Sequence, residues 1–438
     1  MATSPQPQLI RAIGRLSLTA LVVNGIVGSG IYGLPSEISR LLGTFGPWAY
    51  VAGAAGIAVV MACFAEVGSQ FPECGGPYLY SCVAFGRFWG ILMGWLNWLV
   101  RLTSAAANAN VFVAYFAQFF PGASEPTPRG CLLAVLLGIL AVINLRGVRL
   151  GAGVNTFLAA AKLAPLAIFI LLGLALARGP APAPLPEVFA AGGPAWGNWF
   201  TAILLLIFAY GGFEIATFGM AEARNTRRDM PFALFAGIGS VFVIYTLIQV
   251  VVLRALGGAA GGSAPIAQAA RVFLGPAGAA FMSVGALLSV YGNLSGSLMN
   301  GPRLTYAMAE RGDFPPVLGA VGTRFRTPYV SIVLYAVLVF ALALFGSFKW
   351  NAILAAVARL FTYGTVCVAV LVLRKRRPDA DAFRLPVPQL WVGAGVLFLG
   401  AAATRMDRGS VAILTATFAV SLLNWLWARG RPGTHATS

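Results

Sequence analysis

Five ionisable side chains lie inside long apolar runs of this chain: Glu66, Arg101, Lys162, Glu214 and Arg359. A charged group within a lipid-spanning segment is costly, and it marks a transport route, a proton relay or a charge pair. Three cations face two carboxylates. A neutral Lys162 would leave Arg101 and Arg359 to balance Glu66 and Glu214. Glu66 is near the inner end of its run, where it can simply reach headgroup level. Lys162 is eleven residues after Gly151 and fifteen before Ala177. That is roughly 16 Å from the nearer end at the helical rise, too far to snorkel. Lys162 must therefore face a polar interior or be neutral, an option open to lysine but not to arginine. Glu214, Arg101 and Arg359 read either as structural charge partners or as the lining of a route.

Other chemistry finds little support. The single histidine, His435, lies in the polar tail. Cys63, Cys74, Cys82, Cys131 and Cys367 are scattered, with no C-x-x-C pair, so neither a zinc site nor a disulfide pattern is expected. The apolar runs hold no nucleophile and base at useful spacing. The expectation is a protein that is not an enzyme, with no cofactor and no metal.

Two stretches must position whatever the buried charges act upon. The first is Asn24-Gly25-Ile26-Val27-Gly28-Ser29-Gly30-Ile31-Tyr32-Gly33-Leu34-Pro35, inside an apolar run long enough to cross a bilayer. Four glycines there each cost a helix roughly 1 kcal/mol relative to alanine. Lipid cannot satisfy freed backbone groups, so broken backbone at membrane depth must face protein or a watery cavity. The second is Ala209-Tyr210-Gly211-Gly212-Phe213-Glu214. A pair of interrupted spans in corresponding halves of a chain points to a transporter's binding site.

Composition agrees with a membrane setting. The chain is 59% hydrophobic and 10% charged, with mean hydropathy +0.82, against about 25% charged for a soluble domain. Twelve spans are expected, at 16–42, 47–68, 88–120, 130–145, 151–177, 198–220, 231–256, 275–308, 329–345, 351–373, 389–403 and 410–427. The first run is too long for a cleavable signal peptide and lacks its cleavage site. The net charge of +17 is not read as a nucleic-acid surface, because the cations sit in short loops. With the N-terminus inside, nineteen cations fall in inner segments and eight in outer ones. That bias predicts both termini in the cytoplasm. Residues 181–186, rich in proline, read as a stiff connector, and residues 257–275 as a candidate moving lid.

Several motifs together resemble the amino acid–polyamine–organocation (APC) superfamily, whose members share the LeuT-like fold. They are Gly28-Ser29-Gly30-Ile31-Tyr32-Gly33-Leu34-Pro35; Phe71-Pro72-Glu73-Cys74-Gly75-Gly76-Pro77-Tyr78; Phe208-Ala209-Tyr210-Gly211-Gly212-Phe213-Glu214; and Ala221-Glu222-Ala223-Arg224-Asn225-Thr226-Arg227-Arg228-Asp229-Met230-Pro231. Pro302 to Gly312 and Leu373 to Asp379 continue the match. Thr226 and Ala223 depart from the usual proline and second acid.

The resemblance implies an all-α integral membrane protein of about twelve transmembrane helices. It has a five-plus-five inverted repeat with helices 1 and 6 broken. The divisions are an N-terminal cytoplasmic segment (1–15), the repeats (16–180 and 196–375), two accessory helices (386–428) and a cytoplasmic tail (429–438). It places an amino acid's α-carboxylate on Ser29 and the amides around Gly28 and Gly30. The α-ammonium would lie on carbonyls at Ile26, Phe208 and Gly211. Phe208 matches an aromatic gate over the substrate. Lys162 matches a lysine that takes the place of a sodium ion in sodium-coupled relatives. It would touch carbonyls near Gly25 and a hydroxyl on span 8, with Ser289 the first candidate and Asn293 the second.

The expected activity is secondary transport of amino acids across the cell membrane by alternating access. Spans 1, 2, 6 and 7 would rock against 3, 4, 8 and 9, with a proton coupled through Lys162. Neither break contains an acid, and glycines surround Phe208, which favours neutral or hydrophobic amino acids. The alternative is an obligate amino acid or polyamine exchanger. A membrane sensor would want a longer tail than the ten or so residues after the last span.

Overall fold

The structure is a computed structural model that describes residues 14–71, 75–147, 152–184, 187, 193–218, 225–257 and 262–429. Regular structure among the described residues is entirely helical. In chain order the helices are α1 (Arg15–Ile26), α2 (Ser29–Leu42), α3 (Gly46–Ser69), α4 (Gly76–Phe85), α5 (Arg87–Phe116), α6 (Pro126–Leu145) and α7 (Ala152–Leu176). There follow α8 (Trp196–Ala209), a 3-10 segment (Phe213–Phe218), α9 (Thr226–Leu256) and α10 (Pro265–Glu310). The last are α11 (Tyr329–Phe345), α12 (Phe348–Arg376), α13 (Pro388–Ala403) and α14 (Arg408–Ala428).

Local sequence sets where these helices begin. Proline occupies the first turn of α3, α4, α6, α10 and α13, where its missing N–H breaks no helical bond. Asn225, Ser347 and Asp407 cap α9, α12 and α14 by accepting a backbone N–H. Among the described residues, seven helical stretches are long and apolar enough to cross a membrane. Their outer faces carry bare apolar side chains, such as Val135 and Ile139 on α6 and Leu423 on α14. Water would not tolerate so much exposed aliphatic surface, whereas lipid does. This is a multi-pass membrane protein.

Three apolar clusters hold the described part of the bundle. The first joins α1, α2, α3, α8, α9 and α12 and extends onto α5 and α10, with Ile57, Leu206 and Val241 among its buried members. The second joins α5, α6, α10 and α11 through Leu102, Leu133, Leu298 and Val339, and a small third one packs Tyr78 with Met308 and Phe314. Both breaks lie where these groups of helices meet.

The first break is narrower than its four glycines suggest. Only Val27 and Gly28 leave the helix, with ψ of 102° and −150°. Gly25 is inside α1, and Gly30 and Gly33 are inside α2. Those glycines serve close approach. A Cβ at Gly25 would come within 2.7 Å of Gly212 O, and one at Gly30 within 2.8 Å of Ala209 Cα. The two breaks therefore rest directly on each other. At the second break Gly212 adopts φ 109°, open mainly to glycine, and a 3-10 segment follows instead of a second α-helix.

Two further differences from expectation have simple causes. The link after α3 contains α4, a ten-residue helix too short to register as a span. Residues 265–274, expected in a moving lid, form the first turns of α10, with Ile266 and Ala270 fully buried. Alanine-rich sequence is good helix material, and the bend comes only at Gly275, φ 69°. The lid's residues 258–261, the motif residues Pro72, Glu73, Cys74 and 221–224, residues 148–151, 185–186 and 219–220, and both termini with His435 lie outside the described residues.

Candidate functional site

A cavity of about 200 Å³ lies beside the two breaks. Its wall includes Gly25, Ile26, Gly28, Ser29 and Gly30 from the first break and Phe208, Gly211 and Glu214 from the second. Arg101 and Arg359 join them from α5 and α12. The unwinding that sequence implied at two distant places thus converges on one volume, sized for a small molecule.

Lys162 is 3% exposed and lies against the back of the first break. Its ammonium donates to the carbonyls of Asn24 (3.3 Å) and Val27 (3.4 Å) and to Asn293 Oδ1. The helical carbonyls that lose partners at the break are therefore satisfied by the Lys162 side chain. Ser289, the first candidate for contact with Lys162, is a correction. Its hydroxyl is buried without a hydrogen-bond partner, and Asn293, one turn further along α10, makes the contact. The amide oxygen is the better acceptor for an ammonium because it carries no proton to compete. Asn293 Nδ2 also donates to Val27 O at 3.0 Å, so one side chain joins lysine and broken helix.

The carbonyls expected to hold an ammonium are partly engaged. Ile26 O accepts from the Tyr245 hydroxyl at 3.1 Å, and Phe208 O from Gly211 N at 3.2 Å. Each keeps a second lone pair. Ser29 N, at the start of α2, donates to Asn108 Oδ1 at 3.3 Å. That amide belongs to the positive end of the α2 dipole and suits an anion. Phe208 packs edge-on against Phe348, 6.1 Å between centroids, and Phe348 occupies the space beside Gly33.

The buried charges pair differently from the sequence count. Glu214 accepts from Arg359 Nε at 3.3 Å, from Tyr363 at 3.0 Å and from Gly212 N at 2.8 Å. It thereby ties α12 to the left-handed glycine and holds the second break open. Glu66, fully buried, is met by Arg374 Nη2 at 2.7 Å and Leu385 N at 2.8 Å. Arg374 follows the end of the span expected at 351–373, but α12 runs on to Arg376 and carries it back into the bundle. Arg101 therefore does not serve Glu66. It lines the cavity beside Arg359 and Glu214.

Sequence reading missed a large part of the wall. Asn97, Ser104 and Asn108 line it from α5, and Ser297 and Asn300 from α10 beside Asn293, which sequence named only as a partner for Lys162. The signal was present. Asn97, Arg101, Ser104 and Asn108 recur at i, i+4, i+7 and i+11, and Asn293, Ser297 and Asn300 at i, i+4 and i+7, each a polar stripe on one helical face. The wall is therefore polar where apolar space around Phe208 was the expectation. Beyond Arg101, Ile215 and Asn300 the cavity adjoins a second one, of about 360 Å³, lined also by Arg303 and Arg311. At the opposite end Phe348 lies over Phe208. Among the described residues no cluster could hold a metal ion.

Comparison with known proteins agrees with this architecture. The chain is similar to the serine/threonine exchanger SteT of Bacillus subtilis (strain 168), 29% identical over 90% of this chain and 91% of that one. It is 30% identical to the large neutral amino acids transporter small subunit 2 of Mus musculus, over 85% of this chain and 72% of that one. A methylthioribose transporter of Bacillus subtilis (strain 168) is 25% identical over 91% and 90%. The amino acid permease family matches residues 13–429. The chain, with its polar cavity enclosed by two broken helices, belongs to that family of membrane permeases and is not an enzyme.

Proposed function

We propose that this permease is a secondary active transporter of amino acids, driven by protons and working by alternating access. One observation carries the reading: the Lys162 ammonium rests on the Asn24 and Val27 carbonyls and on Asn293. A cation in that place binds α7 and α10 to the broken first span, and being covalent it makes an external sodium ion unnecessary. Changing its charge would alter how firmly the break is held. A substrate that contacts the same break is then coupled to the proton.

The substrate's α-carboxylate takes the Ser29 hydroxyl and the amides at Gly28 and Gly30. Its α-ammonium takes the remaining lone pairs at Ile26, Phe208 and Gly211, with Phe208 as gate. The architecture that fits is a five-plus-five inverted repeat over 16–180 and 196–375, with accessory helices in 386–428. That makes twelve spans in the cell membrane with both termini cytoplasmic. Alternating access would rock α1, α2, α3, α8 and α9 against α5, α6, α10 and α11. The adjoining cavity at Arg303 and Arg311 would be the cytoplasmic exit, and Phe348 over Phe208 the closed outer side.

The test is uptake of radiolabelled amino acids into proteoliposomes, with and without an inward proton gradient, for wild type and Lys162→Ala. Gradient-driven accumulation by wild type alone is expected, unchanged when choline replaces sodium. A second reading, obligate exchange, is favoured by the likeness to a serine/threonine exchanger. Uptake that ignores the gradient and requires internal amino acid would establish exchange and make Lys162 a fixed structural cation.

A further inference from the structure

Among the described residues, the cavity's ionisable lining is two guanidiniums, Arg101 and Arg359, against one carboxylate, Glu214. Glu214 is already committed to Arg359 Nε, Tyr363 and Gly212 N. Arg359 is 6% exposed, and among the described residues its Nη1 is buried with no hydrogen-bond partner. The Ser104 hydroxyl, also in the wall, is likewise buried and unpartnered among them. Leaving buried donors unsatisfied is costly, and an anion supplies what they lack. Glycine at 211 makes the arrangement possible, since a Cβ there would stand 2.5 Å from Arg359 Cζ.

Spacing identifies the part of a ligand that meets these groups. Asn108, beside Ser29 N, and Arg101 are seven residues apart on α5, about 10 Å along the axis. The two carboxyl carbons of glutamate lie about 5 Å apart when extended, and the arginine side chain covers the remainder. We propose that this cavity selects amino acids with an anionic side chain, the second carboxylate lying between Arg101 and Arg359 while the α-carboxylate sits at the start of α2. The assignment rests on the amino acid transport reading and names its substrate class. Cationic side chains and polyamines are repelled by the same two guanidiniums. Neutral side chains leave Arg359 Nη1 and Ser104 unsatisfied.

The experiment is uptake by the full-length protein in proteoliposomes of L-glutamate, L-aspartate, L-glutamine, L-leucine and L-lysine, each also as a competitor. Wild type should favour glutamate or aspartate over glutamine at least tenfold, a difference of about 1.4 kcal/mol. Arg101→Gln should lower the glutamate-to-glutamine ratio at least tenfold, and Arg101→Lys should restore part of it. If Arg101→Gln does not reach the membrane, competition on wild type decides alone. Preference for glutamine, leucine or lysine overturns the proposal and leaves the transporter reading standing. An unchanged ratio in Arg101→Gln overturns the role of Arg101. Uptake of no amino acid at all removes both readings.

Discussion

A single methyl group at position 28 is expected to disable the binding site. Gly28 has φ −154°, an extended conformation that alanine adopts without strain, so any effect of Gly28→Ala is steric. The added Cβ would stand 2.1 Å from Asn293 Nδ2, roughly 1.3 Å inside ordinary contact. The Asn293 amide must withdraw by that amount. Its 3.0 Å bond to Val27 O then opens beyond hydrogen-bonding range, and its contact with the Lys162 ammonium is lost with it. A neutral hydrogen bond is worth about 1 kcal/mol and one to a charged group about 1.5–3. The two together come to roughly 2.5–4 kcal/mol, or about 70-fold to 900-fold in an equilibrium constant. The assay is equilibrium binding of radiolabelled substrate to purified protein, beside a thermal melt. Binding at least about 70-fold weaker is expected, with a lowered Tm, because the cluster that holds α2's first amides toward the cavity has opened. Gly364→Ala is the matched control: it lies inside α12, and its nearest neighbour, Leu399 Cδ1, is 4.0 Å away. Wild-type affinity and Tm in Gly28→Ala would refute the claim that the Lys162–Asn293 contact supports the site.

The remaining predictions concern separate parts of the molecule. Gly364→Ala should raise stability by up to about 1 kcal/mol through helix propensity, read as a small rise in Tm with unchanged uptake; a fall would mean that the space beside α12 is not open. Ser29→Trp, at a position 2% exposed, should abolish binding while the protein still inserts, since the indole fills the start of α2; normal uptake would remove Ser29 from the site. Glu66→Gln should lower Tm, because the Arg374 guanidinium loses its carboxylate. Breaking a buried pair costs about 3–5 kcal/mol, and Arg374, 22% exposed, can rehydrate, so the lower end applies. An unchanged melt would show that the pair contributes nothing net.

Lys162 and Arg374 are held differently. Among the described residues, Lys162 meets only neutral oxygens and lies at the break. Arg374 meets a carboxylate bidentately and joins α12 to α3 and to the backbone at Leu385. The first arrangement is the one the proposed coupling would make responsive to loss of charge. The second is a fastening, which the fixed charge of arginine suits.

Much of this was determined by sequence alone. Glycines clustered at 25–33 and at 211 and 212 inside apolar runs point to two breaks, although of the first four only Gly28 leaves the helix and the others serve close approach. The depth of Lys162 within its run requires a polar neighbour or a neutral amine, because the helical rise puts both ends out of reach. Tertiary structure decided which groups meet. Asn293 rather than Ser289 receives Lys162, since one turn of α10 separates them and only packing sets which faces the break. Arg374 rather than Arg101 or Arg359 neutralises Glu66, since α12 outlasts its apolar run and turns a loop cation inward. The polar stripes on α5 and α10 were visible as a period, but a period names a face without naming what it faces. That face became the wall of a charged cavity only when two distant breaks, with no side chains at Gly25 and Gly212 to hold them apart, came into contact.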